Sequence, residues 1–257
     1  MNMDMRHSRR RRLATQLIAV TAAMIIWELV PRYGLGRTSQ FFFPPFSSVF
    51  TEFVRLVQTG ILPQAAAVTL TRTIAAIVIG VVTGALVGLA METSRSVKWF
   101  FNPIIVLGYP VPKVAFIPIF VLWFGIDDLS KILLATLATF FPITVATYSA
   151  ARGVRQSIRW SALTLGAGPV RMFLAILLPA TVPGIMSGLQ IAVPFAMIVV
   201  VVSEMTSSGG GLGNVLTMAS RNFQVAAQFS VLFTLMAIGL VLEKGVIGIR
   251  KRLLLWE

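Results

Sequence analysis

Two ionisable side chains stand where an apolar chain would normally have none. Lys113 lies inside the run Pro110-Val-Pro-Lys-Val-Ala-Phe-Ile-Pro118, and Glu204 closes a long apolar stretch at Ser203-Glu204-Met205. A charge inside a hydrophobic segment is costly, so it is a candidate for a solute path or a gate. A lysine can also run its apolar stem out to the headgroups, and a terminal acid can simply face water. Both readings stand for each residue, with Arg221 a conceivable partner for Glu204. Neither has the company that catalysis needs. The single histidine, His7, sits in a basic tail, and the absence of cysteine removes disulfides, thiol chemistry and thiolate metal sites. No G-x-x-x-x-G-K-[ST] loop is present. The glycine run from Gly209 to Gly213 lacks the third glycine and the strand–helix setting of a dinucleotide fingerprint. The expectation is a chain with no catalytic residues, no metal and no cofactor.

The elements that must position these groups are membrane helices. Hydrophobic residues make up 56% of the 257 and charged residues only 12%, with a mean hydropathy of +0.85. Soluble domains carry about 25% charged residues. The net charge of +13 invites a nucleic-acid reading. The basic residues, however, gather at the ends of apolar runs, where lipid headgroups lie, so no nucleic-acid partner is expected. Arg9, Arg10, Arg11 and Arg12 precede an apolar run with no small-residue cleavage site, which reads as a retained span rather than a signal peptide.

Crossing about 30 Å of hydrocarbon takes roughly 20 helical residues. Six stretches qualify: 13–30, 65–91, 102–124, 130–150, 174–203 and 226–248. The fold class expected is therefore an all-α polytopic membrane protein of about six transmembrane helices. A basic tail covers 1–12, the first span and an external amphipathic segment cover 13–64, the core of about five spans covers 65–250, and a tail covers 251–257. Ser47 is a plausible cap for the amphipathic segment, ahead of Val49, Phe53, Leu56 and Val57. With the N-terminus inside, fifteen Lys and Arg fall on the inner side against six outside, Arg72, Lys131 and Arg221 among the six. That bias predicts a multi-pass cell-membrane protein with both termini cytoplasmic.

The loop 151–173 then lies in the cytoplasm. Gln156 to Leu165 offers a brief helix, and Gly166-Ala-Gly-Pro169 breaks it. Small residues at Ser161, Ala162 and Gly166 would let a partner surface approach the backbone closely. An ordinary basic loop between spans is the plainer reading. On the second span, Ala76, Gly80, Gly84 and Gly88 recur every fourth residue and form a flat stripe, suited to packing within the subunit or to a dimer seam.

Four motifs together carry a resemblance. Trp160-Ser-Ala-Leu-Thr-Leu-Gly166, then nine residues, then Ile176-Leu-Leu-Pro179, is similar to the coupling loop of ABC-importer permeases. That pattern reads Glu-Ala-Ala, three residues, Gly, nine residues, Ile-x-Leu-Pro. The acid is here Trp160 and the first alanine Ser161. The run from Pro110 through Pro118 to Trp123-Phe-Gly125 resembles the Pro-x-Pro-Lys-x-Ala-x-x-Pro of the nitrate, taurine and alkanesulfonate branch. Thr69-Leu-Thr-Arg72 before the glycine stripe resembles that branch's Ser-Leu-x-Arg, and Glu204-Met205 with Gly211-Leu-Gly213 its Glu-Met and Gly-Leu-Gly.

The resemblance covers roughly residues 40 to 250 and implies a type I ABC importer permease fold. It further implies a homodimer in the lipid membrane, two ABC ATPase subunits at the 151–173 loops, and an external, periplasmic binding protein. Arg159, Trp160, Ser161, Ala162, Leu165, Gly166, Arg171 and Pro179 would serve the ATPase joint. Pro110, Pro112, Lys113, Pro118 and Glu204 would serve the pathway or its gate. A Trp160 ring could replace the missing acid through burial, contributing about 1.5–3 kcal/mol if fully covered. The branch handles nitrate, sulfonates, taurine, bicarbonate, aromatic acids and pyrimidine-type precursors, and Lys113 together with the basic balance leans toward an anion. The alternative is a self-sufficient secondary transporter or channel, which would show inverted repeats or paired ionisable residues within the membrane.

Overall fold

The computed structural model describes residues 2–34, 36, 41–207 and 209–254, with side chains described from residue 15 onward except residue 17. The side chains of the N-terminal basic cluster and of His7, together with Arg37, Ser208 and residues 255–257 of the second tail, lie outside the described residues. Ten helices of eight or more residues carry the described chain: α1 Asn2–Leu29, α2 Phe46–Gln58, α3 Ile61–Thr93, α4 Arg95–Gly108, α5 Ile117–Phe124, α6 Asp128–Arg152, α7 Gln156–Thr164, α8 Leu178–Thr206, α9 Leu212–Arg221 and α10 Val225–Leu253. No strand occurs among the described residues. The stretch 1–12, expected as a tail, is helical from Asn2 and continuous with the first apolar run.

Helices α3, α6 and α10, and the stretch Pro169–Thr206 that contains α8, are each long and apolar enough to cross a membrane. Of the other two stretches expected to span, 13–30 runs through α1, part of whose side chains lie outside the described residues, and 102–124 is not one straight rod. It is α4 and α5 joined by a short turn over Lys113–Phe116 and bent by 97°. Pro110 and Pro112 have no N–H to continue the ladder, which is why the helix stops there.

The chain divides into two compact units, residues 1–63 with 216–233, and 64–215 with 234–257. In the first, Trp27 is the hub. Its ring lies 5.8, 5.6 and 5.7 Å from those of Phe46, Phe229 and Phe233, and its Nε1 donates to Pro44 O at 3.2 Å. Ser47 is not the cap of α2. The cap position is Pro45, and Ser47 sits in the first turn, where the Glu28 carboxylate accepts both its N–H and its hydroxyl at 2.9 Å. A carboxylate supplied by α1 therefore serves the exposed donors of the α2 N-terminus.

In the second unit α6 lies between α3 and α8. A Cβ on Gly84 would meet Phe140 O at 2.9 Å, and one on Gly88 would meet Thr144 O at 2.8 Å. On the opposite face a Cβ on Gly184 would lie 2.3 Å from Ala150 Cβ, and one on Gly188 2.8 Å from Ala146 Cβ. Only helices without side chains at the seam approach this closely. Ala76, Leu134, Ala135, Ala138, Val199 and Val200 fill the core between them.

Candidate functional site: an exposed short helix and the two polar ties

At one end of the second unit, Gly153 closes α6 and α7 follows two residues later. Its C-terminus is a Schellman turn: Ala167 N–H donates to Ala162 O at 3.0 Å and Gly166 N–H to Leu163 O at 2.9 Å. The turn needs a left-handed residue, and Gly166 supplies it at φ +77°, with open space where a side chain would project. Within α7 only Ala162 is buried. Trp160, Leu163 and Leu165 are 63%, 58% and 83% exposed, and Ser161, Arg171 and Pro179 are also exposed. Several large apolar side chains on one short polar-bounded helix form the kind of surface that a partner covers. Arg159 turns the other way. Its Nη2 donates to Glu92 Oε1 at 2.9 Å and to Ala151 O at 2.8 Å.

The α4–α5 bend is held by Lys113. Its Nζ donates to Gly108 O at 2.6 Å, Tyr109 O at 2.7 Å and Val111 O at 2.9 Å, and lies 4.4 Å from the centre of the Phe141 ring. An ammonium has three donors, and here backbone carbonyls take all three. Pro112 has no N–H to offer Gly108 O as a continuing helix would, and Val111 N–H reaches that carbonyl only at 3.3 Å. Lys113 is thus a staple across the bend, a role beside the two its sequence position suggested. A cavity of about 410 Å³ adjoins it, lined by Pro110, Pro112, Phe141, Phe195 and Val199 among others. Pro118 is the second residue of α5, in the first turn, where a missing N–H costs nothing.

At the other end of the unit Glu204 is fully buried, and the cation that meets it is Arg72, at 2.7 Å. Arg221, the partner the sequence suggested, belongs to the other compact unit. The Arg72 guanidinium also donates to Asp128 Oδ1 at 2.8 Å and to the carbonyls of Gly209 and Gly210 at 2.6 and 3.1 Å. Thr69 donates its hydroxyl to Glu204 Oε2 at 2.9 Å and accepts from Leu212 N at 2.8 Å. Gly213 N–H completes the carboxylate's shell at 3.0 Å. A Cβ on Gly211 would stand 2.2 Å from the Glu204 carboxyl carbon, so this turn can press onto the acid only without one. Lys131, also buried, donates to Ile126 O beside the cluster. Arg72 and Lys131, counted by sequence as outer-face charges, are therefore interior groups. Among the described residues no three His, Asp or Glu side chains converge as metal ligands.

The family model described as binding-protein-dependent transport system inner membrane component matches residues 76–243. This chain belongs to that family. A probable ABC transporter permease protein of Haemophilus influenzae is 33% identical over 231 residues, covering 90% of this chain and 93% of the relative. The taurine transport system permease protein TauC of Escherichia coli is 29% identical over 264 residues, covering 98% and 95%. In three dimensions the chain is similar to a chain of the MetNI methionine ABC transporter, seen in inward-facing conformations. The TM-score is 0.68 at 18% identity, over 76% of this chain and 97% of that one, which establishes the type I importer permease fold. The protein is a permease subunit of an ABC importer, a membrane component and not an enzyme, and ATP hydrolysis belongs to a separate subunit. The self-sufficient transporter is set aside by this membership.

Several residues of this permease escaped the sequence reading. Glu92 ends an apolar span with nothing nearby in sequence to mark its partner, Arg159, 67 positions away. The stripe Gly184, Gly188, Ala192, Ala196 was legible by the same four-residue rule as Gly80, Gly84 and Gly88. Two prolines, Pro183 and Pro194, lie among those small residues and draw attention from the spacing. Arg72 was visible as part of a motif, but only the fold shows that it meets Glu204.

Proposed function

We propose that two copies of this permease form the translocation path for a small anionic solute, delivered by an external binding protein and driven by two ATPase subunits docked at the 151–173 loops. The observation that carries the docking reading is the exposed apolar face of α7 beside the open, left-handed Gly166. An ATPase groove would cover Trp160, Leu163 and Leu165, and Arg171 adds a cation at the rim. Burying the Trp160 ring contributes about 1.5–3 kcal/mol, which offsets the loss of the acidic anchor.

The anionic cargo is supported by the taurine-transport relative and by the basic balance of the chain. It is not supported by Lys113, whose three donors are taken by carbonyls. In this reading Pro110, Pro112, Lys113 and Pro118 shape the wall of the path by fixing the bend, and Glu204 fixes the opposite end. Both termini are assigned to the cytoplasm from the basic bias.

The test is co-purification of the ATPase at equal membrane abundance. Trp160→Ala weakens recovery of the partner, whereas Trp160→Glu, which restores the acid of the family pattern, largely keeps it. Undiminished recovery with Trp160→Ala together with full transport would remove the ring from the joint.

A further inference from the structure

Helix α7 has little that fastens it to the spans. Among its described residues only Ala162 is buried, and Trp160, Leu163 and Leu165 point outward. A helix attached mainly by its covalent ends would absorb a push by tilting. Arg159 is the exception. Its guanidinium reaches the carboxylate of Glu92, in the last turn of α3, and the carbonyl of Ala151, in the last turn of α6, at 2.9 and 2.8 Å. A helix C-terminus leaves its final carbonyls without intrahelical donors and carries partial negative charge, so a cation placed there is doubly favoured. One side chain therefore gathers the ends of two membrane helices onto α7.

The surroundings distinguish this pair from an ordinary surface ion pair, which contributes little. Both side chains are largely shielded, at 30% and 15% exposure. They border a cavity of about 290 Å³ with Val154, Pro169, Met172 and Phe173. Arg159 Nε is buried there without a hydrogen-bond partner. Glu92 meets the guanidinium through one oxygen at Nη2, so a small shift of the two helices could convert the contact to the two-point fork that arginine and carboxylate favour. The pair has a second arrangement within reach, as a moving joint requires.

We propose that the Glu92–Arg159 ion pair is the tie that transmits displacement of α7 to α3 and α6 together, so that these two residues position the spans for transport without touching solute or nucleotide. This rests on the reading of α7 as the ATPase-docking helix, and the experiment keeps the two claims apart. The permease, its ATPase and its binding protein are reconstituted in liposomes, and solute moved per ATP hydrolysed is measured for Glu92→Ala, Arg159→Gln, the double variant and Arg159→Lys.

The single variants are expected to retain the ATPase in wild-type amount but to lose about tenfold in solute moved per ATP. The double variant should be no worse than either single, because one shared tie can be cut only once. Arg159→Lys, which keeps the charge, should recover most of the ratio. Wild-type ratios in both single variants would overturn the proposal. So would loss of the ATPase from either, which would place the pair in docking rather than transmission. Failure of the wild-type chain itself to bind the ATPase would instead sink the docking reading.

Discussion

Arg72 and Glu204 meet at 2.7 Å with side chains 3% and 0% exposed, joining the first turns of α3 to the end of α8. Thr69, Asp128 and the backbone of Gly209, Gly210 and Gly213 satisfy the remaining donors and acceptors. About 20 helical residues, or roughly 30 Å, separate Arg72 from Glu92 along α3. The helix thus carries two arginine ties about a hydrocarbon thickness apart, one in its last turn and one about a third of the way along.

Removing one partner of the buried pair leaves an uncompensated charge, which costs about 3–5 kcal/mol. Arg72→Met and Glu204→Met should each lower the thermal unfolding midpoint of the detergent-purified protein, whereas Arg72→Met with Glu204→Met should recover much of the loss. A double variant as unstable as the sum of the singles would show that the two residues act separately.

The glycine seams give a sharper contrast. Gly88→Ala places a Cβ against Thr144 O, a backbone atom that can move only with its helix, and overpacking of this kind costs about 1–3 kcal/mol. Gly245→Ala, on α10, meets nothing within 4 Å; it should be neutral or stabilise by up to about 1 kcal/mol through helix propensity. Unfolding midpoints of the two variants decide this, and equal midpoints would contradict the close packing of α3 on α6.

The same Schellman turn that closes α7 with Gly166 closes α9 with Phe223. Gln224 N–H donates to Ala219 O at 2.8 Å, Phe223 N–H to Ser220 O at 3.1 Å, and Phe223 sits at φ +55°. Left-handed backbone costs a non-glycine residue about 1–2 kcal/mol. Phe223→Gly should therefore raise the midpoint, by an amount reduced by glycine's greater entropy when unfolded. A lower midpoint would mean that contacts of the exposed ring outweigh the strain.

What the sequence revealed was what hydropathy and fixed spacing can encode. The spans near 65–91, 130–150, 174–203 and 226–248 needed only a count of apolar residues. The family membership was legible in part because Ala162, Gly166, Ile176 and Pro179 keep a family spacing. What stayed hidden were pairings across the fold: Arg72 with Glu204, Arg159 with Glu92, and Glu28 at the start of α2. Each joins residues distant in sequence, and charge alone does not choose a partner. The staple made by Lys113 stayed hidden for a related reason: a lone lysine in an apolar run suggests a path or a headgroup, and only the bend brings three carbonyls within its reach.

The proposal that α7 is the ATPase joint is tested most directly at Gly166. Gly166→Asn keeps a residue that tolerates left-handed backbone, whereas Gly166→Glu adds a longer, charged side chain in the open space where a partner must approach. The measurement is recovery of the ATPase with each variant, at equal membrane abundance, alongside solute uptake. Gly166→Asn should retain the ATPase and transport. Gly166→Glu should lose at least about tenfold in ATPase recovery, since burying an unpaired charge in an interface costs several kcal/mol. A Gly166→Glu permease that keeps both its ATPase and full transport would show that α7 is not the joint.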